Sequence, residues 1–323
     1  MLYESYITYG FSSKAANFKA HGNPALIIFG NPTEEEIKII CKESKIDLNG
    51  VTIQFPIIDI IEPINIEKNI FSIKYYFPTG NEVNICGHGT ICATRAIIEK
   101  YKKEGKMETY TFQLNKKFEE NKTQPEIKVE SDGETFKITF LDVDLIDFSK
   151  KEKINKYLNE NIPEFSGICS YGTLKDIICF SNNSKKLRET NFTSEQMEKL
   201  RRICPEFRSL IVIAKSEIKG FDYETSIISD QLPKPFYKDP ACGSANKEVI
   251  KFLKINNLFP EKFINDIAKF KMFYPYRYSE TGIMGGIQNV EAEWKKGIVN
   301  IICEASLGAQ LNLKIENNKL IMV

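Results

Sequence analysis

The chain has 323 residues, of which 42% are hydrophobic and 27% charged, and its formal net charge is +1. At roughly 100–200 residues per domain, this length predicts two domains that can each bury a core. The balanced charge argues against nucleic acid or an anionic membrane as a partner, and the longest apolar runs are too short to span a bilayer.

A strand and a capped helix open the first half of the chain. Residues 24–29 predict a buried strand, and Thr33 with Glu36 three residues later has the pattern of a capping box at a helix start. Further strands are predicted over 51–55 and 71–77, and a helix over 91–101.

The second half repeats this order. A strand at 176–180 precedes a helix whose start carries Thr193 and Gln196 as a second capping pair. Strands then follow at 210–214 and 222–228, and a helix at 247–254. This repetition predicts an internal duplication that forms two pseudo-symmetric domains.

A polar stretch at 115–124 is the best candidate for a linker between the domains. It predicts an N-terminal domain over residues 1–124, completed by 311–323, and a C-terminal domain over 125–310. The expected site lies in the cleft between them.

Two glycine-rich cysteine turns occupy equivalent places in the two halves. The first, Cys-Gly-His-Gly-Thr, begins at Cys86, and the second, Cys-Gly-Ser-Ala-Asn, begins at Cys242. Each precedes a predicted helix, whose unpaired N–H groups and dipole favour an anion and lower the pKa of a nearby thiol. Gly87, Gly89 and Gly243 allow a ligand to approach the backbone closely.

Two thiols that face one carbon from opposite sides suit a two-base racemisation. One cysteine, as thiolate, removes the α-proton, and the other, as thiol, returns a proton to the opposite face. The helix starts would bind the substrate carboxylate, and no cofactor is needed. The candidate bases are Cys86 and Cys242, with Asn23, Gly87, His88, Gly89, Asp239, Gly243 and Ser244 as substrate-binding residues.

Several other polar residues remain open between a site role and a structural one. His21 is evenly balanced between the two, and Tyr278, Ser279 and 285–286 are explained equally well by a strand and turn. The remaining cysteines are expected to be small buried apolar residues: Cys41, Cys92, Cys169, Cys179, Cys204 and Cys303.

The cysteines and histidines also bear on compartment and metals. Eight irregularly spaced cysteines, with no secretory signal visible at the N-terminus, favour reduced thiols and a cytoplasmic protein. The chain has only two histidines and lacks a Cys-x-x-Cys pair, so we expect no zinc or haem site.

These motifs resemble the phenazine-biosynthesis (PhzF-like) isomerase family, within the diaminopimelate epimerase and proline racemase superfamily. The resemblance covers most of the chain and rests on 22–25, 80–90 and 239–245. It implies an α+β, diaminopimelate epimerase-like fold, in which each half wraps a mixed sheet around a central helix. It also implies a homodimer, and a site lined by the residues His88, Asp239 and Ser244.

Two departures from the PhzF-like pattern change the expected chemistry. Gly50 falls where those enzymes carry a glutamate that acts as general acid and base, and a glycine transfers no proton. Cys242 stands where PhzF-like proteins commonly have threonine, so the cysteine pair is similar to that of diaminopimelate epimerases and proline racemases.

The leading hypothesis is therefore a cofactor-independent racemase or epimerase acting on an amino acid or a related small carboxylic acid. A second hypothesis is a PhzF-like isomerase that moves a proton along a conjugated acid, with a cysteine replacing the glutamate. A third is a non-catalytic protein that binds a small molecule or forms a regulatory disulfide in the cleft.

Overall fold

The computed structural model describes residues 2–13, 22–48, 51–103, 105–117, 124–146, 148–173, 175–189, 192–230, 232, 238–239, 241–279 and 282–322. Within these residues the helices are α1 (Glu34–Glu43), α2 (Gly87–Tyr101), α3 (Lys151–Asn161), α4 (Ser184–Glu189), α5 (Ser194–Ile203) and α6 (Asn246–Ile255).

The strands of the first half are β1 (Leu2–Ser12), β2 (Asn23–Phe29), β3 (Lys45–Leu48), β4 (Val51–Gln54), β5 (Ile57–Asn65), β6 (Ile70–Tyr76), β7 (Glu82–Val83), β8 (Glu108–Gln113), β9 (Glu126–Ser131) and β10 (Thr135–Leu141). The remaining strands are β11 (Leu145–Ile146), β12 (Phe165–Gly172), β13 (Asp176–Ser181), β14 (Ser209–Lys215), β15 (Tyr223–Ile228), β16 (Lys238–Asp239), β17 (Phe263–Ile264), β18 (Ile267–Phe273), β19 (Tyr276–Ser279), β20 (Gly282–Met284), β21 (Ile287–Glu293), β22 (Ile298–Glu316) and β23 (Lys319–Met322).

The first half wraps a mixed sheet around α2. Strands β2 and β5 are parallel neighbours with α1 between them in the chain, and β5 pairs antiparallel with β6. Strands β6 and β8 are again parallel and are joined through α2, and β9 and β10 continue the sheet in antiparallel pairs. The helix α2 thus forms a crossover between two parallel strands, which encloses it in the sheet.

The second half repeats these pairings strand by strand. Strands β13 and β14 are parallel, β14 and β15 antiparallel, and β15 and β18 are parallel neighbours joined through α6. Strands β18, β21 and β22 follow in antiparallel order, as β8, β9 and β10 do in the first half. The predicted α+β fold, with a central helix in each half, is confirmed.

The long strand β22 connects the halves. It pairs with β10 and β21 near its start, and with β1 and β23 further along. Both halves therefore share one hydrogen-bonded sheet. The predicted boundaries at 124/125 and 310/311 stay predictions, and residues 118–123 of the predicted linker lie outside the described part of the chain.

The two central helices lie in one continuous apolar core. Helix α2 contributes Ile91 and Ile97, and α6 contributes Val249 and Phe252, all fully buried. The other helices cover the outer sheet faces: α1 packs over the first half, and α3 to α5 over the second. The N-terminal ends of both helices are buried where the two halves meet, which makes this junction the place for a site.

Most of the predicted elements are present with shifted ends. Both capping boxes are formed, at Thr33 with Glu36 and at Thr193 with Gln196. The largest difference is at α2, which begins at Gly87 rather than at residue 91. The glycines and histidine of the cysteine turn are thus the first turn of the helix itself.

Candidate active site

The first cysteine turn is held by hydrogen bonds on both sides of the cysteine. Cys86 is the N-cap of α2, and its Sγ accepts from the Gly89 N–H at 3.4 Å. The Thr90 hydroxyl donates to the Cys86 carbonyl oxygen at 2.7 Å and lies 2.6 Å from the Tyr75 hydroxyl. Because Thr90 uses its own hydrogen on the carbonyl, Tyr75 is the donor of that second bond.

The second cysteine turn has a similar frame. The Ala245 N–H points at the Cys242 thiol, and Ser244 Oγ lies 3.6 Å from Cys242 Sγ. The carbonyl oxygen of Cys242 accepts hydrogen bonds from three side chains: Tyr274, Asn246 and Gln288. These bonds fix the backbone of the turn and leave the sulfur as its reactive atom.

The two turns touch each other at their glycines. A Cβ on Gly87 would lie 2.9 Å from the Ser244 nitrogen and 3.1 Å from the Gly243 Cα, which is too close for any side chain. A Cβ on Gly243 would lie 3.0 Å from the Phe11 ring. Only glycine at both positions lets the N-terminal ends of α2 and α6 meet, with their positive dipole ends toward one region.

Asn23 links the two halves at this point. Its side-chain nitrogen donates to Asp239 Oδ1 at 2.7 Å and to the Ala241 carbonyl at 2.8 Å, and lies 3.3 Å from His88 Nδ1. The Ala241 N–H also donates to Asp239 Oδ1, at 3.1 Å. A fully buried amide thus fixes a carboxyl of the second half against a histidine of the first.

His88 and Asp239 are both biased toward their neutral forms. Burial lowers the pKa of His88 to about 4, so the imidazole is uncharged at neutral pH. Burial also raises the pKa of Asp239 to about 7, against the opposing effect of hydrogen bonds from Ala241 and Asn23. His88 Nδ1 lies 3.3 Å from the Asn23 side-chain nitrogen and 3.4 Å from Cys86 Sγ.

The thiols differ from the sequence-based expectation of a lowered pKa. Burial raises the pKa of Cys242 to about 11, and Asp239 adds to this, although bonds from Ser244 and the Ala245 N–H oppose it. Burial also raises the pKa of Cys86 well above its ordinary value, and the Asp59 carboxyl adds to this. The expectation of a lowered pKa is wrong because desolvation of a sulfur inside the closed interface outweighs the helix dipole.

The structure brings nearly all the predicted site residues to one place: Asn23, Cys86, Gly87, His88, Asp239, Cys242, Gly243 and Ser244. Gly89 takes part through its N–H and its contact with Asp59. Two remaining atoms, Asn23 Oδ1 and His88 Nε2, are buried without a hydrogen-bond partner among the described residues.

Other residues singled out in the sequence have different outcomes. His21 and Gly50 lie outside the described residues, as do the side chains of Tyr278 and Ser279. The glycine pair at 285–286 has a packing role: a Cβ on Gly286 would lie 2.4 Å from Ala241 Cβ. The backbone there passes directly against the second cysteine turn.

The sequence analysis missed the carboxyl of Asp59. It is fully buried on β5 and packs against Gly89, with neither oxygen hydrogen-bonded among the described residues. One signal was present, because Asp59 is the single charge inside the apolar run 57–61. A lone acidic residue in a strand that is otherwise buried on both faces indicates a special environment.

The described residues contain neither a candidate metal site nor a candidate membrane-spanning helix. No group of three or more His, Cys, Asp or Glu side chains is placed to hold a metal ion within the described ranges. In the same part of the chain, no helix is both long and apolar enough to cross a membrane.

The fold and the site define a class of proteins with two α+β halves, whose central helices direct their N-terminal ends at one cleft. Residues 16–274 match the family described as PhzC-PhzF, phenazine biosynthesis-like protein. The chain belongs to that family, as the sequence motifs predicted.

Solved structures of similar fold extend over nearly the whole chain. A phenazine biosynthesis protein of the PhzF family from Bacillus anthracis has a TM-score of 0.68 at 15% identity, covering 98% of this chain and 100% of that one. A putative PhzC/PhzF protein from Clostridium difficile strain 630 has a TM-score of 0.64 at 18% identity, covering 97% and 100%.

A hydroxyproline epimerase from Agrobacterium vitis, with bound trans-4-OH-L-proline, has a TM-score of 0.56 at 10% identity, covering 96% of this chain and 92% of that one. No curated protein sequence matches this chain. The structural similarities confirm the predicted fold, which this chain has in common with PhzF-family proteins and with an amino-acid epimerase.

Proposed function

We propose that this protein is a cofactor-independent racemase or epimerase that inverts the α-carbon of an amino acid or a related small carboxylic acid. Family membership and the epimerase-like fold support an isomerase. One observation carries the finer assignment. Cys86 and Cys242 stand at equivalent positions before two central helices whose first turns touch, so that their sulfurs belong to one site.

The reaction proceeds by two proton transfers. One cysteine, as thiolate, takes the α-proton and becomes a thiol, and the substrate becomes a planar enediolate. The other cysteine gives its thiol proton to the opposite face of that carbon and becomes the thiolate. The product has the opposite hand, and the two cysteines have exchanged protonation states.

The carboxylate is expected to bind at the touching helix starts. The N–H groups of Gly87 and His88 belong to the first turn of α2, where they have no intrahelical acceptor and suit an anion. Those of Gly243 and Ser244 lie in the turn just ahead of α6 and suit the same anion. The same groups stabilise the negative charge that develops on the enediolate. Asp239, held by Asn23, is suited to orient the substrate amine.

The test is exchange of the α-proton in D₂O, followed by proton NMR on mixtures of amino acids with reduced enzyme. We expect loss of one amino acid's α-proton signal with wild type, and no loss with the C86S/C242S double variant. Cys204→Ser is the matched control, because Cys204 is buried in the separate core beneath the outer helices. Exchange that survives in the double variant, or that disappears in Cys204→Ser, contradicts the assignment.

A PhzF-like isomerase acting on a conjugated acid is the second candidate. Family membership favours it, and Asp239 supplies a buried carboxyl with a pKa near neutrality that can carry a proton. This activity changes the position of a double bond rather than the configuration of a carbon. Incubation with unsaturated carboxylic acids separates the candidates, because only the second predicts deuterium at a carbon remote from the carboxylate.

The non-catalytic alternative makes a separate prediction about oxidation. If the two thiols serve a redox switch, a reversible Cys86–Cys242 disulfide should change ligand binding without any proton exchange. In the catalytic case oxidation abolishes exchange, and a reducing agent restores it. A homodimeric state and a cytoplasmic location belong to the same proposal, and sedimentation and cell fractionation test them.

A further inference from the structure

The carboxyl of Asp59 is the least satisfied polar group near the site. It is fully buried in the middle of β5, and neither of its oxygens has a hydrogen-bond partner among the described residues. A buried carboxyl without a partner is costly, so such a group is retained where it has a function or is removed by selection.

The carboxyl packs directly on the first turn of α2. A Cβ on Gly89 would lie 2.7 and 2.8 Å from the two Asp59 oxygens, so the carboxyl occupies the space that a side chain would take. The Gly89 N–H donates to Cys86 Sγ. A single residue, whose backbone touches both groups, therefore separates Asp59 from the first cysteine.

Among the described residues, no cation forms an ion pair with this carboxyl. The titratable groups that face it are the Tyr75 hydroxyl from β6 and the thiols of Cys86 and Cys92 from α2. Its neighbour on β2 is the apolar Ile27. Burial alone raises the pKa of Asp59 well above its ordinary value.

The fold does not require a carboxyl at this position. Asp59 pairs with Tyr75 across β5 and β6, and the matching pair across β14 and β15 is Ile211 with Ile227. Asp59 and Ile211 are matched through their partners Tyr75 and Ile227. Each partner also pairs, on its other side, with the residue that lies three positions ahead of a site cysteine: Tyr75 pairs with Val83, and Ile227 with Asp239. The second half thus packs a fully buried isoleucine, Ile211, where the first half packs Asp59.

We propose that Asp59 is a positioning residue for Cys86. The Asp59 carboxyl and the Cys86 thiol together hold one negative charge at most. In the resting enzyme Cys86 is therefore the thiol, and Cys242 is the base. The physical reason is that two anions close together in a buried site repel strongly, so ionisation of one opposes ionisation of the other. The part of this inference that makes Cys242 the base rests on the proposed function, whereas the effect of Asp59 on Cys86 does not.

The surroundings of Cys86 agree with a resting thiol. Its other titratable neighbours are Asp239 and Cys242, which disfavour a second anion, and His88, which is neutral. Both sulfurs have one backbone donor, the Gly89 N–H at Cys86 and the Ala245 N–H at Cys242. The turns differ in the neighbouring side chain, which is His88 at Cys86 and the Ser244 hydroxyl at Cys242.

The test is site-resolved alkylation without substrate. Wild type and Asp59→Asn are treated with iodoacetamide from about pH 7 to about pH 10.5, and each cysteine is followed by mass spectrometry. We expect Cys242 to react before Cys86 in wild type. In Asp59→Asn, we expect Cys86 to react about three- to tenfold faster than in wild type at each pH in this range, because more of the thiol is ionised.

Two controls separate charge from disturbance of the fold. Cys92, on the same helix and against the same carboxyl, should stay unreactive unless α2 opens. Asp59→Leu imitates the apolar second half and should shift Cys86 in the same direction. An unchanged Cys86 rate in both folded variants, or Cys86 reacting before Cys242 in wild type, overturns the proposal. A faster Cys86 reaction in the variants of a protein that shows no α-proton exchange keeps the coupling and rejects the proposed function.

Discussion

The two cysteine turns share a backbone frame and differ in the groups placed around it. In each turn, the N–H three residues after the cysteine, that of Gly89 or Ala245, points at the sulfur. In each turn, the residue three positions ahead of the cysteine, Val83 or Asp239, pairs with the preceding strand. The hydrogen bonds therefore allow the halves to be compared position by position.

The difference lies in where each half puts its carboxyl. The first half has Asp59 beneath the helix start and an apolar Val83 in front of it. The second half has Ile211 beneath the helix start and Asp239 in front of it. A symmetric backbone thus presents two thiols to one region, while the carboxyls are placed asymmetrically around them.

The largest expected effect comes from replacing either base. Cys86→Ser and Cys242→Ser should each reduce racemisation by about 10³-fold, because a serine hydroxyl is far too weak an acid to replace the thiol. Each variant keeps one thiol, so each should still exchange the α-proton of one enantiomer only, and the two variants should choose opposite enantiomers. Chiral chromatography together with NMR in D₂O measures both properties.

This selectivity for one enantiomer also tests whether the two cysteine turns act on opposite faces of the substrate. If both variants exchange the same enantiomer, the cysteines do not face the carbon from opposite sides. If either variant keeps racemisation within about tenfold of wild type, its cysteine is not a base. Circular dichroism of each variant shows whether the fold is intact.

The pH dependence of the unfolding free energy should distinguish the contribution of His88 from that of Asp239. The pKa of Asp239 is raised to about 7 in the folded state, so its stabilising effect is full below its unfolded pKa and is lost as pH rises toward 7. The pKa of His88 is lowered to about 4, so its effect is full above its unfolded pKa and is lost as pH falls toward 4. Between about pH 4 and pH 6.5 the two slopes oppose each other.

Removing one group should reveal the slope of the other. Relative to wild type, Asp239→Asn should gain stability as pH rises from about 4.5 to about 6.5, and His88→Asn should lose it, each by about 1–2 kcal/mol. This is less than the full shifts imply, because Asp239 is only partly buried from solvent. Urea unfolding at both pH values measures the difference, and slopes of the same sign in both variants contradict it.

A double-mutant cycle tests the contact between Asp59 and Gly89. Gly89→Ala should lower the free energy of unfolding by about 1–3 kcal/mol, because the new Cβ meets both carboxyl oxygens. In an Asp59→Ala background the same change should be neutral or stabilising by up to about 1 kcal/mol, as alanine favours a helix over glycine. The second half already has Ala245 and Ile211 at these positions.

Chemical denaturation of the four proteins gives the interaction energy. Costs that add within about 0.5 kcal/mol would mean that the two residues do not press on each other. Cys86 alkylation in the same four proteins shows whether relief of the contact also changes the thiol. This cycle therefore sharpens the structural difference between the halves independently of any activity.

Local patterns predicted much of the fold, and burial explains what they could not predict. Both capping boxes and the two cysteine turns depend on residues a few positions apart, and the structure has them as expected. The direction of the thiol pKa shifts was wrong, since helix starts are local features but desolvation depends on how tightly two distant turns close. The contact between Gly87 and Gly243 creates that closure, and no pattern near either cysteine contains it.

Asp59 is a second residue whose contacts could not be predicted from the sequence. Its isolated charge between Ile58 and Ile60 was visible, but the sequence does not say that it faces Gly89. That contact follows from the pairing of β5 with β6 and from the crossover through α2. Only the assembled sheet shows that the equivalent position in the second half is apolar.

The smallest expected effect concerns the capped outer helices, where the halves should behave alike. Thr33 accepts from the Glu36 N–H at 3.3 Å, and Thr193 accepts from the Gln196 N–H at 3.2 Å. Thr33→Ala and Thr193→Ala should each cost about 1 kcal/mol of unfolding free energy, with no change in exchange activity. Both helices lie on outer sheet faces, so the loss of a cap does not reach the cleft. Unequal costs beyond about 0.5 kcal/mol, measured by urea unfolding, would mean that the asymmetry of the site extends into the scaffold.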